Sequence, residues 1–157
     1  MIKISGYVVG AHRCSYIYLI KSNEYIYVGE TGSFPVIRWG AHLSSSGTFT
    51  VNMKNHVNND EGLINAQFIC FECTDILKEA DNYKKIARRA IEAELHRQLS
   101  LNPWIFGEEI FLVSRSPNHP VRHKFTFDPV DCARKIMTML PSIMKDSVVI
   151  KNHDMVI

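Results

Sequence analysis

Two short apolar runs near the start of the chain predict a β-hairpin. The first run covers residues 16–20 and the second covers residues 25–28, and both are rich in aromatic and β-branched residues. Such residues favour strands because their side chains pack well on a pleated surface. We expect the polar segment 21–24 to form the turn and the two glycines within residues 29–33 to end the second strand.

A helix is predicted directly after the hairpin. Ser33 is a residue type that caps helix N-termini, and Pro35 suits the first helical turn. This helix carries Arg38 and His42, which are four residues apart and therefore share one face. We expect this face and the tyrosines of the two strands to converge on one surface.

The next segment predicts one further strand and a long helix. Residues 67–71 form a compact apolar run, which is typical of a central strand and would complete a three-stranded sheet. Asp75 can cap a helix over about 76–99, and Pro103 lies just beyond its end. Apolar residues recur in this helix every three or four positions and form one stripe that faces a core: Leu77, Ala80, Tyr83, Ala87, Ile91, Leu95 and Leu99.

The C-terminal third predicts a short strand at 110–113 and one more helix. Asp128 followed by Pro129 is typical of a helix start, and the helix is expected to run to about residue 140. Weaker strand patterns occur near both ends of the chain, at residues 1–9 and 148–150.

The composition is that of one globular domain. The chain has 157 residues, of which 46% are hydrophobic and 22% charged, and this length is sufficient for a hydrophobic core. We expect a single domain with a core at about 14–103 and a C-terminal extension at about 104–157. The net charge of +2 neither requires nor excludes a nucleic-acid partner, because local clusters of charge matter more than the total.

The sequence predicts a cytoplasmic protein. No apolar run approaches the roughly 20 residues that a membrane helix needs, and the first residues lack the apolar centre of a signal peptide. The four cysteines are scattered along the chain and are expected to be reduced thiols.

Two tripeptides of the hairpin and the helix after it resemble the GIY-YIG nuclease family. The first signature is Tyr16-Ile17-Tyr18, in which Tyr16 stands where the family has glycine, and the second is Tyr27-Val28-Gly29. Arg38 follows at about the expected distance, and His42 one turn later is similar to the homing and restriction endonuclease members. The resemblance covers about residues 16–99. It implies an α+β fold in which a small three-stranded antiparallel sheet is flanked by helices.

The resemblance also implies an endonuclease that hydrolyses DNA phosphodiester bonds with Mg²⁺ or Mn²⁺. Arg38 would bind phosphate oxygens with its planar guanidinium. Tyr18 would act as the general base or orient the attacking water, with His42 as the alternative base, and Tyr27 would position the phosphate. A metal held by one carboxylate would keep several waters and take the rest of its ligands from the substrate.

Two carboxylates on the long helix are candidates for the metal ligand. The family places leucine-like residues three and seven positions after its glutamate, and Glu92 meets this pattern with Leu95 and Leu99, whereas Glu94 does not. Glu92 also falls at the edge of the apolar stripe, where a carboxylate can face a cleft. We therefore prefer Glu92 and keep Glu94 as the alternative.

A cluster of basic residues precedes these carboxylates on the same helix and either contacts a DNA backbone or forms a solvated face: Lys84, Lys85, Arg88 and Arg89. Double-stranded DNA is the expected partner, and a homo-oligomer or a protein partner is compatible with the sequence. Two other hypotheses stay open. One is a fold that binds nucleic acid without catalysis, which Tyr16 and the absence of the family's asparagine spacing at Asn102 favour. The other is an unrelated α+β interaction domain.

Overall fold

The structure, a computed structural model, describes residues 14–56, 66–78, 83–120 and 123–146. Within them the strands are β1 (Tyr16–Ser22), β2 (Tyr25–Thr31), β3 (Gln67–Glu72) and β4 (Phe111–Leu112), and the helices are α1 (Pro35–Leu43), α2 (Thr48–Lys54), α3 (Lys84–Leu101) and α4 (Pro129–Asp146). The strand patterns at 1–9 and 148–150 lie outside the described residues. The described elements form an α+β fold, as the sequence predicts.

The sheet has four strands in the order β3-β1-β2-β4, so the prediction of a three-stranded antiparallel sheet is wrong. β1 pairs antiparallel with β2 and β3, whereas β4 pairs parallel with β2. The N–H of Phe111 donates to the carbonyl of Glu24 at 2.8 Å, and the N–H of Val113 donates to that of Ile26 at 2.9 Å. These bonds cover an edge of β2 that would otherwise offer unpaired backbone groups to other chains.

The inner strands of the sheet are β1 and β2, and β3 lies at an edge. Residues 16–20 of β1 are all buried, because a neighbouring strand lies on each side and both faces are covered. Among the described residues β3 pairs only with β1, and Cys70 in its middle is exposed. The prediction that the run at 67–71 is a central strand is therefore wrong, since an apolar run does not reveal how many neighbours a strand has.

The hairpin is tighter and its second strand longer than predicted. Ser22 pairs with Tyr25, which leaves a two-residue turn, and Asn23 takes the positive φ of 51° that such turns require. β2 continues through Gly29 to Thr31, because Gly29 remains paired with Tyr18 of β1. The glycine therefore lies within the ladder and does not end the strand.

The helix boundaries also differ from the predicted ones. The N-cap residue of α1 is Phe34, not Ser33, while Pro35 occupies the first helical position as expected. Residues 74–78 form turns, and α3 begins only at Lys84, so the predicted start near residue 76 is wrong. The cap expected from Asp75 is therefore absent from α3.

The last helix begins as predicted but runs further. Asp128 accepts the N–H of Val130 through Oδ1 at 2.9 Å, which caps the first turn of α4. The helix then continues past Pro141 to Asp146, although the sequence predicts an end near residue 140.

Alternation along β1 divides the core into two layers. Ile17 and Leu19 point to one face, where they pack with residues of α3 and α4, including Ile91 and Leu140. Tyr18 points to the opposite face, together with Ile20, against residues of α2. β4 and α4 come from the segment after residue 103, which is therefore integral to the sheet and to one of the two layers. None of the described helices is long and apolar enough to span a membrane.

Candidate active site

The side chains that the sequence predicts to be catalytic come from β1, β2, α1 and α3 and lie close enough to interact electrostatically. Tyr18 and Tyr27 lie on the same face of the sheet, with ring centroids 6.5 Å apart and planes inclined by 13°. The ring of His42 lies 4.5 Å from that of Tyr27 and 5.7 Å from that of Tyr18. The two strands and α1 therefore bring these three rings together.

A hydrogen bond of 2.7 Å joins the Tyr18 hydroxyl to Nε2 of His42. Both side chains are buried, at 1% and 3% exposure, which shields this bond from bulk solvent. The backbone of His42 is itself fixed, because the hydroxyl of Thr50 on α2 donates to its carbonyl at 2.9 Å. The position of the imidazole thus depends on the packing of α2 against α1.

Gly29 provides the space that the Tyr18 ring occupies. The two residues are direct partners in the β1–β2 ladder. A Cβ atom at Gly29 would lie 2.4 Å from both Cζ and the hydroxyl oxygen of Tyr18, well inside van der Waals contact. The glycine of the second signature is therefore required sterically for the tyrosine of the first signature to reach His42.

The Arg38 guanidinium adds positive charge to this cluster. Its interaction with the Tyr18 hydroxyl is the largest cause of the raised pKa of Arg38. Burial is the largest influence on the pKa values of Tyr27, His42 and Glu92, and it raises those of Tyr27 and Glu92; the charge of Arg38 acts to lower all three. Arg38 is exposed, so an anionic ligand can reach it from solvent.

Burial sets the protonation states of the Tyr18–His42 pair. It raises the pKa of Tyr18 to about 12, against the opposing effect of Arg38. Burial and the charge of Arg38 lower the pKa of His42 to about 4. At neutral pH the tyrosine therefore keeps its proton and the imidazole is uncharged. The hydroxyl then donates and Nε2 accepts, an assignment that follows from these pKa values.

Glu92 is a half-buried carboxylate beside these groups. Burial is the main cause that raises its pKa to about 8, and the negative charge of Glu30 raises it further, while Arg89 and Arg38 oppose the shift. Among the described residues Glu92 has no ion pair within 4.0 Å. Its charged form is thus poorly stabilised in the protein alone.

Glu94 has the opposite environment. Arg97 donates to both of its carboxylate oxygens, at 2.9 and 3.0 Å from Nε, and Gln98 donates to Oε1 at 3.1 Å. These hydrogen bonds lower the pKa of Glu94. Its carboxylate is already occupied by partners on α3, whereas that of Glu92 is not.

Arg88 does not lie on the exposed basic face with its neighbours. Its Nε donates to Oε2 of Glu30 at 2.6 Å, and its side chain is only 10% exposed. A second nitrogen donates to the hydroxyl of Ser15 at 3.2 Å. Lys84, Lys85 and Arg89 are exposed. The Glu30–Arg88 pair joins the end of β2 to α3, and its long sequence separation left no local signal by which sequence reasoning could find it.

The environment of Glu92 favours a divalent cation electrostatically but provides few protein ligands for it. A cation would offset both the free-energy cost of burying this charged carboxylate and its repulsion by Glu30. No group of three or more histidine, cysteine, aspartate or glutamate side chains converges in the part of the chain that the structure describes. An ion at Glu92 would therefore depend on water and substrate oxygens for most of its ligands, as magnesium commonly does.

Comparison of the chain with protein-family models, curated proteins and solved structures gives no match. The resemblance to the GIY-YIG family therefore stays a prediction that rests on the residues themselves.

Replacement of Gly29 by alanine should displace the Tyr18 ring from His42. We expect the free energy of unfolding to fall by about 1–3 kcal/mol, because the added methyl group overpacks a closed space. Gly40→Ala is the matched control, since nothing lies within 4 Å of a Cβ at that exposed helical position. Urea unfolding checks both variants, and an equal effect of the two substitutions would contradict the steric argument.

Replacement of Glu92 by glutamine should stabilise the protein in alkaline solution. Between an unfolded pKa near 4.5 and the folded value of about 8, the folded state retains a proton that the unfolded state has lost. The free energy of unfolding of the native protein therefore falls as the pH rises through this window. The increase in the free energy of unfolding caused by Glu92→Gln should be close to zero at pH 4.5 and on the order of 2–4 kcal/mol near pH 8.

Urea unfolding in chelator, at several values of pH, measures this difference. Glu94→Gln is the control with the opposite sign, because its partners lower the pKa of Glu94 and so stabilise the folded protein at neutral pH. A Glu92→Gln variant that is less stable than the native protein at pH 8 would contradict the assigned environment.

Proposed function

We propose that the protein is a divalent-metal-dependent endonuclease that hydrolyses phosphodiester bonds of DNA. The observation that carries the proposal is the convergence of Tyr18, His42, Arg38 and Glu92 from three separate elements, with Glu92 held as an unpaired carboxylate. Hydrolysis of a phosphodiester needs a group that removes a proton from water and positive charge where negative charge develops. These four side chains offer both.

In this proposal Tyr18 and His42 move the proton together. The hydroxyl oxygen of Tyr18 takes a proton from the attacking water as its own proton passes to Nε2 of His42, along the existing hydrogen bond of 2.7 Å. The water oxygen forms a bond to phosphorus, the bond from phosphorus to the leaving oxygen breaks, and that oxygen takes a proton from solvent. The imidazolium of His42 then gives up its extra proton to solvent, which restores the starting state. A free phenolate, which a pKa of about 12 makes scarce, is then not required.

Binding of the substrate phosphate would itself prepare this pair. Burial is the main cause that lowers the pKa of His42, and the charge of Arg38 is the second cause. A phosphate bound at Arg38 would neutralise that charge and make the imidazole a better proton acceptor. Tyr27, whose ring lies against His42, would orient the phosphate beside the guanidinium.

Glu92 is the residue that would hold Mg²⁺ or Mn²⁺. When bound, such an ion supplies Lewis-acid stabilisation of the developing charge on the phosphate and the leaving oxygen. The half-buried position of Glu92 excludes part of the surrounding water and strengthens its electrostatic interactions. The proposal includes a cytoplasmic location, which the four free cysteines support.

A nucleic-acid-binding module without catalysis is the second candidate. Two observations support it. The pKa of Tyr18 is high, and Tyr16, at 4% exposure, occupies the position where the GIY-YIG family has glycine. Such a protein would use Arg38 and the exposed cations of α3 to bind a phosphate backbone. It would bind DNA in chelator and leave it intact in magnesium.

Cleavage of supercoiled plasmid in Mg²⁺ or Mn²⁺, with and without chelator, tests the nuclease. We expect metal-dependent nicking or linearisation by the native protein. Arg38→Ala should reduce the rate about 10²- to 10³-fold, as loss of one stabilising donor does in other enzymes, and Glu92→Gln should abolish metal-dependent cleavage. Glu94→Gln is the matched control and should retain the native rate within a few-fold at a temperature where it is folded.

The pattern of loss decides between the candidates. Cleavage that survives Glu92→Gln but not Glu94→Gln would move the metal to Glu94. Binding of varied DNA substrates without any cleavage would support the module without catalysis, and the absence of both would contradict either function.

A further inference from the structure

Lys85, Arg89 and Glu92 lie along one side of α3. Their spacing of four and three residues keeps them within about 60° of one another around the helix axis. Lys85 and Arg89 are exposed, and Glu92 is half-buried at the candidate site. From Lys85 to Glu92 the helix rises about 10 Å. The side chains therefore form a line that begins at the solvent-exposed end of α3 and leads to the site.

The two cations of this line are free to bind an external anion. Among the described residues neither Lys85 nor Arg89 makes an ion pair. Six other cations of the described residues are already engaged in ion pairs: Lys21, Lys78, Arg88, Arg97, Arg134 and Lys135. Within the described chain, Arg89 thus adds positive charge without an ion pair beside the candidate site.

The inner end of the line is coupled electrostatically to the site. Arg89 and Arg38 both oppose the burial that raises the pKa of Glu92, so their charges act on the same carboxylate from two different helices. An anionic chain that reaches Arg38 at the site can therefore meet a second exposed cation, Arg89, on α3.

We propose that α3 binds the backbone of the substrate strand on one side of the phosphate that is cut. Arg89 contacts the nearest phosphate outside the site, and Lys85 contacts a phosphate further out. The rise of about 10 Å corresponds to about three base-pair steps of 3.4 Å along the axis of a duplex. This inference rests on the proposed function, since Glu92 and Arg38 define the inner end of the line.

Two neighbouring cations are excluded from this contact. Arg88 is buried in its ion pair with Glu30. Lys84 adjoins Lys85 in sequence but projects about 100° further around the helix. Lys84 is therefore the control for Lys85, because the two have the same charge on the same helical turn and project in different directions.

Binding of a duplex of about 20 base pairs, measured by fluorescence anisotropy in chelator over a range of salt concentrations, tests the inference. Each backbone contact contributes about 0.9 to the slope of log affinity against log salt. Lys85→Gln and Arg89→Gln should each reduce the slope by about 0.9 and together by about 1.8. Lys84→Gln should leave it nearly unchanged, and unfolding midpoints check that all variants are folded.

The outcomes separate this contact from catalysis. Equal slopes for Lys84→Gln and Lys85→Gln would show a general charge effect and overturn the inference. If the native protein cleaves DNA but the slopes of Lys85→Gln and Arg89→Gln equal that of the native protein, the contact is overturned and the proposed nuclease function is retained. The predicted slopes without cleavage would support the contact and reject the nuclease, and no binding by the native protein would overturn the contact.

Discussion

The close approach of Tyr18 to Gly29 is the constraint on which the candidate site depends. Because Gly29 has no side chain, the Tyr18 ring can lie over β2 and its hydroxyl can reach His42. That hydrogen bond in turn requires α1 to pack on the same face of the sheet, where α2 holds the carbonyl of His42 through Thr50. The arrangement of two strands and two helices is thereby linked to the position of the Tyr18 side chain.

The sequence predicted local features well and long-range ones poorly. The apolar runs gave the hairpin, and Pro35 gave the start of the helix that presents His42, because these signals arise between close neighbours in sequence. The pairing of β4 with β2, and the edge position of β3, depend on contacts between distant segments. β4 has only two residues, which are too few to predict which strand it pairs with or whether that pairing is parallel.

The same distinction holds for the candidate site. Spacing alone indicated that Arg38 and His42 share a face, and the apolar stripe favoured Glu92 over Glu94 at the edge of the core. The burial that shifts the pKa values of Tyr18 and His42, and the repulsion of Glu92 by Glu30, appear only once distant elements pack together. A carboxylate held in this way lowers stability at neutral pH, a cost that is common where a side chain is kept for binding or catalysis.

The most direct test of the account is whether a divalent ion binds at Glu92 close to the Tyr18–His42 pair. Substoichiometric Mn²⁺ can be added to protein labelled at histidine, with a non-hydrolysable DNA duplex bound, and the imidazole resonances followed by NMR. The account predicts selective paramagnetic broadening of the His42 signal, and loss of this broadening in Glu92→Gln. Equal broadening of His42 in the native protein and in Glu92→Gln, or none in either, would contradict it.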